Sequence, residues 1–244
     1  MRRWISRAAA AAMLAALPLI AAQASNFAVL LSSTERPDAD KARDADRKPA
    51  EVMAFAGVKP GSKVAEIAPG GGYFTRLLTL AVGPSGHVYT GSTRPNPVLA
   101  AWAASHPNVT WAAIPPGEAL APEPVNIVWT TQNYHDFKNQ KFGDADAAIL
   151  TNRAAFAALK PGGVYLVADH EAAPGAGTTV TSTLHRIESA AVISEVEAAG
   201  FRLEARSNLL RHPADDHTLT VQESGIRGHT DQFLLRFRKP RARR

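Results

Sequence analysis

The chain has 244 residues, 45% hydrophobic and 20% charged, which leaves room for one large or two small domains and excludes wholesale disorder. It has no cysteine, so disulfides, thiolate metal sites, cysteine nucleophiles and a lipidated cysteine are all excluded. The formal charge of +5 owes three units to Arg2, Arg3 and Arg7, and the small surplus left behind gives no reason to expect a nucleic-acid partner.

Those arginines open a segment with the layout of a secretory signal. Ala8 to Ala22 is apolar apart from its one proline, Pro18, and Ala22-Gln23-Ala24 gives a small-x-small cleavage site. Residues 1–24 are therefore expected to direct the chain to the periplasm or outside the cell, with cutting after Ala24. The apolar run is too short to predict stable membrane insertion. Residues 25–49 form a polar lead-in whose stretch STERPDADKARDADRKP has almost no large apolar side chains. A single domain is expected over 50–240, with a basic tail at 241–244.

Within that domain, Ala50 to Phe55 predicts a first packed helix, ended by Gly57 and Pro60-Gly61. Lys63 to Leu78, KVAEIAPGGGYFTRLL, reads as a buried strand, a loop with three consecutive glycines and an amphipathic helix. Glycines let the backbone turn tightly and approach a ligand, and the helix start offers unpaired N–H groups. Further strands are predicted at His87–Thr90, Val109–Ile114, Val125–Thr130 and Val164–Ala168, with helices at Pro97–Ala104 and Asp144–Leu159. Lys160-Pro161-Gly162-Gly163 reads as a turn and Gln132–Phe137 as a loop. A helix over Glu188–Ala199 ends at Gly200. Two last strands follow, Phe201–Ser207 and Phe233–Arg238, with a polar excursion between them that is expected to be solvated. Alternating strands and helices predict a mostly parallel sheet with helices on both faces, and the final pair predicts an antiparallel edge.

In open α/β sheets ligands bind beyond the carboxyl ends of the strands. Three polar clusters fall there: Glu66 with its glycines, Asn133-Tyr134-His135-Asp136, and Asp169-His170, joined by Ser92 after the second strand. The glycine loop resembles motif I of the class I S-adenosylmethionine-dependent methyltransferases, with Glu66 at the acidic position, Ala68 in place of the first glycine and Gly70 and Gly72 at the other two. KPGSKVAEIAPGGGYFTRLL, the NYHD loop, LKPGGVYLVADH, TLHRIESAAVISEVEAAGF and TDQFLLRFRKP together resemble a bacterial family of predicted exported methyltransferases. That resemblance implies a Rossmann-like seven-stranded methyltransferase sheet and S-adenosylmethionine as cofactor. It also implies a cofactor site built from Glu66, Ala68, Pro69, Gly70, Gly71, Gly72, Tyr73, Ser92 and Asn133.

One departure stands out. The family fold usually ends its second strand with an Asp or Glu that binds the ribose hydroxyls, whereas VYTGSTR offers Ser92. Loss of that charged acceptor would weaken cofactor binding by roughly 1–2 kcal/mol.

For the acceptor, His135 and His170 are the candidate bases, each next to an aspartate, Asp136 and Asp169. His185, in LHRIE with Arg186, could close over the site. No metal is expected, because Asp169 and His170 would face opposite sides of a continuing strand. The function expected is methyl transfer to a small-molecule or lipid-like acceptor. The alternatives are a non-catalytic metabolite-binding protein on the same fold, and a metal-dependent enzyme that uses the His–Asp pairs.

Overall fold

The computed structural model describes residues 27–241. The expected signal segment, residues 1–24, and the end of the basic tail lie outside the described residues. The lead-in is helical at residues 27–31 and then forms the short helices α1 (Asp38–Lys41) and α2 (Asp44–Arg47), followed by α3 (Pro49–Ala56), which is opened by a proline and closed by Gly57 at φ +77°. The chain continues through β1 (Lys63–Ile67), α4 (Tyr73–Val82), β2 (His87–Ser92), α5 (Pro97–Ala104) and β3 (Val109–Ala113). After β4 (Val125–Thr131) come α6 (Tyr134–Lys138), a two-residue hairpin β5 (Lys141–Phe142) and β6 (Ala145–Asp146), and α7 (Ala147–Ala158). The chain closes with β7 (Leu159–His170), α8 (Ser189–Ala198), β8 (Arg202–Ser207) and β9 (Gln232–Arg238).

Seven strands make one sheet in the order β3-β2-β1-β4-β7-β9-β8. β9 alone runs against its neighbours, paired with both β7 and β8, so the antiparallel pairing expected at this end of the sheet places β9 one strand in from the edge. The central strands of the sheet are buried on both faces, and side-chain alternation divides the core in two. Ile127, Trp129, Leu166 and Leu234 face one cluster with Met53, Leu77 and Leu78 from α3 and α4. Val128, Tyr165, Phe233 and Phe237 face the other, with Val192, Val196 and Phe201 from α8 and its exit.

Three segments differ from expectation. Lys160-Pro161-Gly162-Gly163 does not turn but extends β7 at its start, and the loop expected at Gln132–Phe137 carries the short helix α6. The polar excursion before β9 is exposed over much of its length, as expected, but two of its aspartates are buried in ion pairs. Asp215 is buried in an ion pair with Arg186, and Asp231 binds Arg211 and His217.

The chain enters the sheet at β1, moves outward through β2 and β3, then returns to lie beside β1 as β4. The connections leaving β1 and β4 therefore diverge and open a crevice at the carboxyl ends of these strands. The glycine loop borders it on one side and residues 132–137 on the other.

Candidate functional site

The loop after β1 is shaped by three left-handed residues, Ala68 at φ +54°, Gly70 at +55° and Gly72 at +84°. Ala68 is the exception among them, since a methyl group there is strained where glycine would not be. Its N–H donates to the Gly91 carbonyl at 2.9 Å, tying the loop to β2. Two amides hold the loop from either side of the crevice: Asn96 Nδ2 donates to the Gly70 carbonyl at 2.8 Å, and Asn133 Nδ2 donates to the Ala68 carbonyl at 2.9 Å.

A cavity of about 770 Å3 opens beside this loop, and Glu66, Gly70, Ser92, Asn133, Asp136 and His185 are in its wall. A second, of about 150 Å3, lies against the loop's other side, lined by Pro69, Gly71 and Tyr73 together with Arg43 and Arg47. Glu66, Ala68, Gly70 and Asn133 border both. Gly72 faces neither; a β-carbon there would meet Leu99 Cδ1 at 2.6 Å, so this glycine serves the close approach of α5. Gly70 and Gly71 have open space where a β-carbon would stand.

Glu66 is buried between the cavities. It accepts hydrogen bonds from the Thr75 hydroxyl at 2.5 Å and the Thr90 hydroxyl at 3.1 Å. Burial raises its pKa to about 7 against the pull of those two hydroxyls. Ser92 lies in the large cavity's wall with its hydroxyl turned to the Arg94 carbonyl at 2.7 Å.

The lead-in supplies the arginines of the smaller cavity, which sequence reasoning missed. Arg47 lies over the Tyr73 ring at 4.4 Å and donates to the Gln132 side chain, while Arg43 lies over the same ring at 4.9 Å. Tyr73 donates its hydroxyl to Asp44 at 2.5 Å, and Asp44 also pairs with the fully buried Arg36. Burial lowers the Arg47 pKa to about 10, which still leaves it charged at neutral pH. The only sequence signal for this arrangement was the i, i+4 spacing of Arg43 and Arg47 on a helical stretch.

Beyond β4 and β7 the expected His–Asp pairs are partnered differently. Asp169 is fully buried and accepts both the His135 Nδ1–H and the His135 backbone N–H, each at 2.8 Å. Burial would lower the His135 pKa, but the Asp169 charge overrides it and raises the value; His135 and His170 in turn hold Asp169 below its ordinary range against burial. Asp136 stands 3.5 Å from His135 Nε2 and 3.4 Å from His185 Nδ1, and both Asp136 and His185 reach the large cavity. His170 does not. Its Nδ1 bonds the Thr230 hydroxyl at 2.7 Å, and burial lowers its pKa to about 4. Arg186 also turns away from the site, donating to the Glu171 and Leu219 carbonyls and to Asp215.

No protein-family model and no curated protein sequence matches the chain. Solved structures do. An S-adenosylmethionine-dependent methyltransferase from Aquifex aeolicus superposes with a TM-score of 0.58 at 16% identity, over 88% of this chain and 98% of that one. The fold is that of the class I methyltransferases. The 1,6-didemethyltoxoflavin-N1-methyltransferase of Burkholderia thailandensis, solved with S-adenosylhomocysteine, matches with a TM-score of 0.55 at 14% identity, over 98% of this chain and 93% of that one. The [4+2]-cyclase SpnF matches with a TM-score of 0.56 at 17% identity, over 81% of each chain. The same methyltransferase fold thus appears under different reactions, so the fold leaves the chemistry to the site.

Proposed function

We propose that the protein is an S-adenosylmethionine-dependent methyltransferase acting on a small-molecule or lipid-like acceptor, exported by residues 1–24. One observation carries this reading. The glycine loop at the switch point separates a larger cavity, with ample room for an adenosine, from a small charged one, and no β-carbon fills the space above Gly70 and Gly71.

In this reading the arginines Arg43 and Arg47 bind the cofactor's carboxylate and Glu66 faces its ammonium group, while Ser92 and the walls of the large cavity receive the adenosine. Bound there, S-adenosylmethionine supplies an electrophilic methyl group. Asp136 and His185, in the cavity wall, hold the acceptor, and the Asp169–His135 pair behind them fixes their geometry and charge. The test is a crystal structure with S-adenosylhomocysteine. The expected result has its carboxylate at Arg47 and its adenosine beside Ser92; a ligand bound elsewhere would overturn the assignment.

A second reading is a metabolite-binding protein on this fold. It is favoured by Ser92, whose hydroxyl is committed to the Arg94 carbonyl and which brings no charge to a ribose. Export favours it too, because S-adenosylmethionine is made in the cytosol. Tight binding of S-adenosylhomocysteine without turnover on any acceptor would support it.

A further inference from the structure

His135, Asp136 and His185 each offer one ligand atom, and the three atoms lie within 4.8 Å of one another. The Asp136 carboxylate is 3.5 Å from His135 Nε2 and 3.4 Å from His185 Nδ1, longer than the usual 2.7–3.2 Å of a good hydrogen bond. The spacing fits a shared ion better. With metal–ligand bonds of about 2.1 Å, ligand atoms in octahedral or tetrahedral geometry stand about 3.0–3.4 Å apart.

Three further features agree. His135 gives its Nδ1–H to the buried Asp169 carboxylate, which fixes the tautomer and leaves the Nε2 lone pair turned toward Asp136. Asp169 is itself held by the backbone N–H groups of His135 and His170, so this support is rigid. His185 adopts φ +56°, a strained conformation for a non-glycine residue, and in that conformation it closes the cluster from the segment between β7 and α8. Asp136 and His185 also reach the large cavity, so coordination positions beyond these three ligands would face whatever occupies it.

We propose that His135 Nε2, the Asp136 carboxylate and His185 Nδ1 bind one divalent transition-metal ion. Two imidazoles and one carboxylate suit zinc or iron better than magnesium or calcium, which take oxygen ligands. The open positions would take an oxygen atom of the acceptor, and coordination would make a hydroxyl acceptor more acidic. This narrows the acceptor to molecules with an oxygen donor. The inference extends the acceptor half of the reading above but is tested without cofactor, so that failure of either leaves the other to be judged separately. It also revises the sequence expectation of no metal. That expectation weighed His135, Asp136, Asp169 and His170 as one ligand set and set it aside because Asp169 and His170 diverge, whereas here Asp169 supports the ligand His135, His170 faces Thr230 and His185 takes the third place.

The experiment is calorimetric titration of the purified, chelator-stripped protein with Zn2+, with Mg2+ as a comparison and Co2+ as an optical probe. One equivalent of Zn2+ should bind and Mg2+ should not compete. H185A and D136N should each weaken Zn2+ binding at least tenfold, and D169N about 10- to 100-fold by loosening His135. H217A, in the separate His–Asp pair with Asp231, should bind as the wild type does. Unchanged Zn2+ affinity in H185A and D136N would overturn the proposal, as would no saturable binding below millimolar Zn2+. Should a variant unfold, the Co2+ spectrum of the wild type decides: visible bands of imidazole-ligated Co2+ support the site, and the spectrum of hexaaqua Co2+ contradicts it.

Discussion

Asp169 grips His135 twice, through the ring Nδ1–H and through the backbone N–H, both at 2.8 Å and both out of contact with water. The carboxylate thereby sets the ring's orientation and the start of α6 together. Breaking a buried pair by removing one partner typically costs about 3–5 kcal/mol. D169N should therefore lose stability on that scale in urea unfolding. Once either partner is gone, the second substitution should add little. The double variant D169N/H135A should fall short of the summed single losses by at least about 1 kcal/mol. Additive losses would mean that the two groups act independently.

Glu66 makes a pH prediction. Its folded pKa of about 7 lies above the ordinary 4.5, because burial disfavours the charged carboxylate. The folded state therefore holds a proton that the unfolded chain releases, and the stabilisation present below about pH 4.5 is lost as the pH rises toward 7. On the usual conversion the loss is about 3 kcal/mol. The buried aspartates, with lowered values, act in the opposite direction at lower pH, so the informative quantity is the difference from E66Q. The variant should gain on the wild type between pH 5 and pH 8 in thermal unfolding. A difference that stays flat over that range would show that Glu66 is charged throughout.

Two glycines of the same loop should behave differently. Gly70 at φ +55° has open space where a β-carbon would go, so G70A should remain folded at a cost of about 1 kcal/mol while losing at least tenfold in affinity for S-adenosylhomocysteine. At Gly72 a β-carbon meets Leu99 at 2.6 Å, and G72A should mainly lower the melting temperature. Equal effects of the two changes on ligand affinity would contradict the placement of the cavity.

Arg47 is assigned to the carboxylate end of the ligand. R47M should weaken S-adenosylhomocysteine by about 10- to 100-fold, the scale of a hydrogen bond to a charged group, and leave the affinity for adenosine unchanged. Isothermal titration with the two ligands separates these outcomes. A parallel loss for adenosine would make Arg47 a general support of the loop.

The sheet was legible because its strands are short apolar runs bounded by glycine and proline, and β4, VNIVWTT, needs no partner to be recognised as buried. The glycine loop was legible as a loop for a similar reason: three consecutive glycines after a strand mark a tight passage into the helix that follows. The arginines were not. Charged residues in a polar stretch look solvated until Tyr73, Arg76 and Gln132, distant in sequence, are brought beside them. The His–Asp pairs were legible only in part. Asp169 and His170 do face opposite sides of the strand, but the bond from His135 to Asp169 depends on β4 lying beside β7, an adjacency the sequence does not state, and His170 is turned to Thr230. Arg186 was read with His185 as a sequence neighbour, yet it points into the buried network with Asp215.

The central claim is a cofactor site at the glycine loop, and the most direct test is calorimetric titration of the protein with S-adenosylmethionine and S-adenosylhomocysteine. The prediction is one equivalent of each, bound with a dissociation constant between about 1 μM and 1 mM, toward the weaker end because Ser92 replaces a ribose-binding carboxylate. No heat with either ligand, from protein shown to be folded by its circular dichroism, would contradict it.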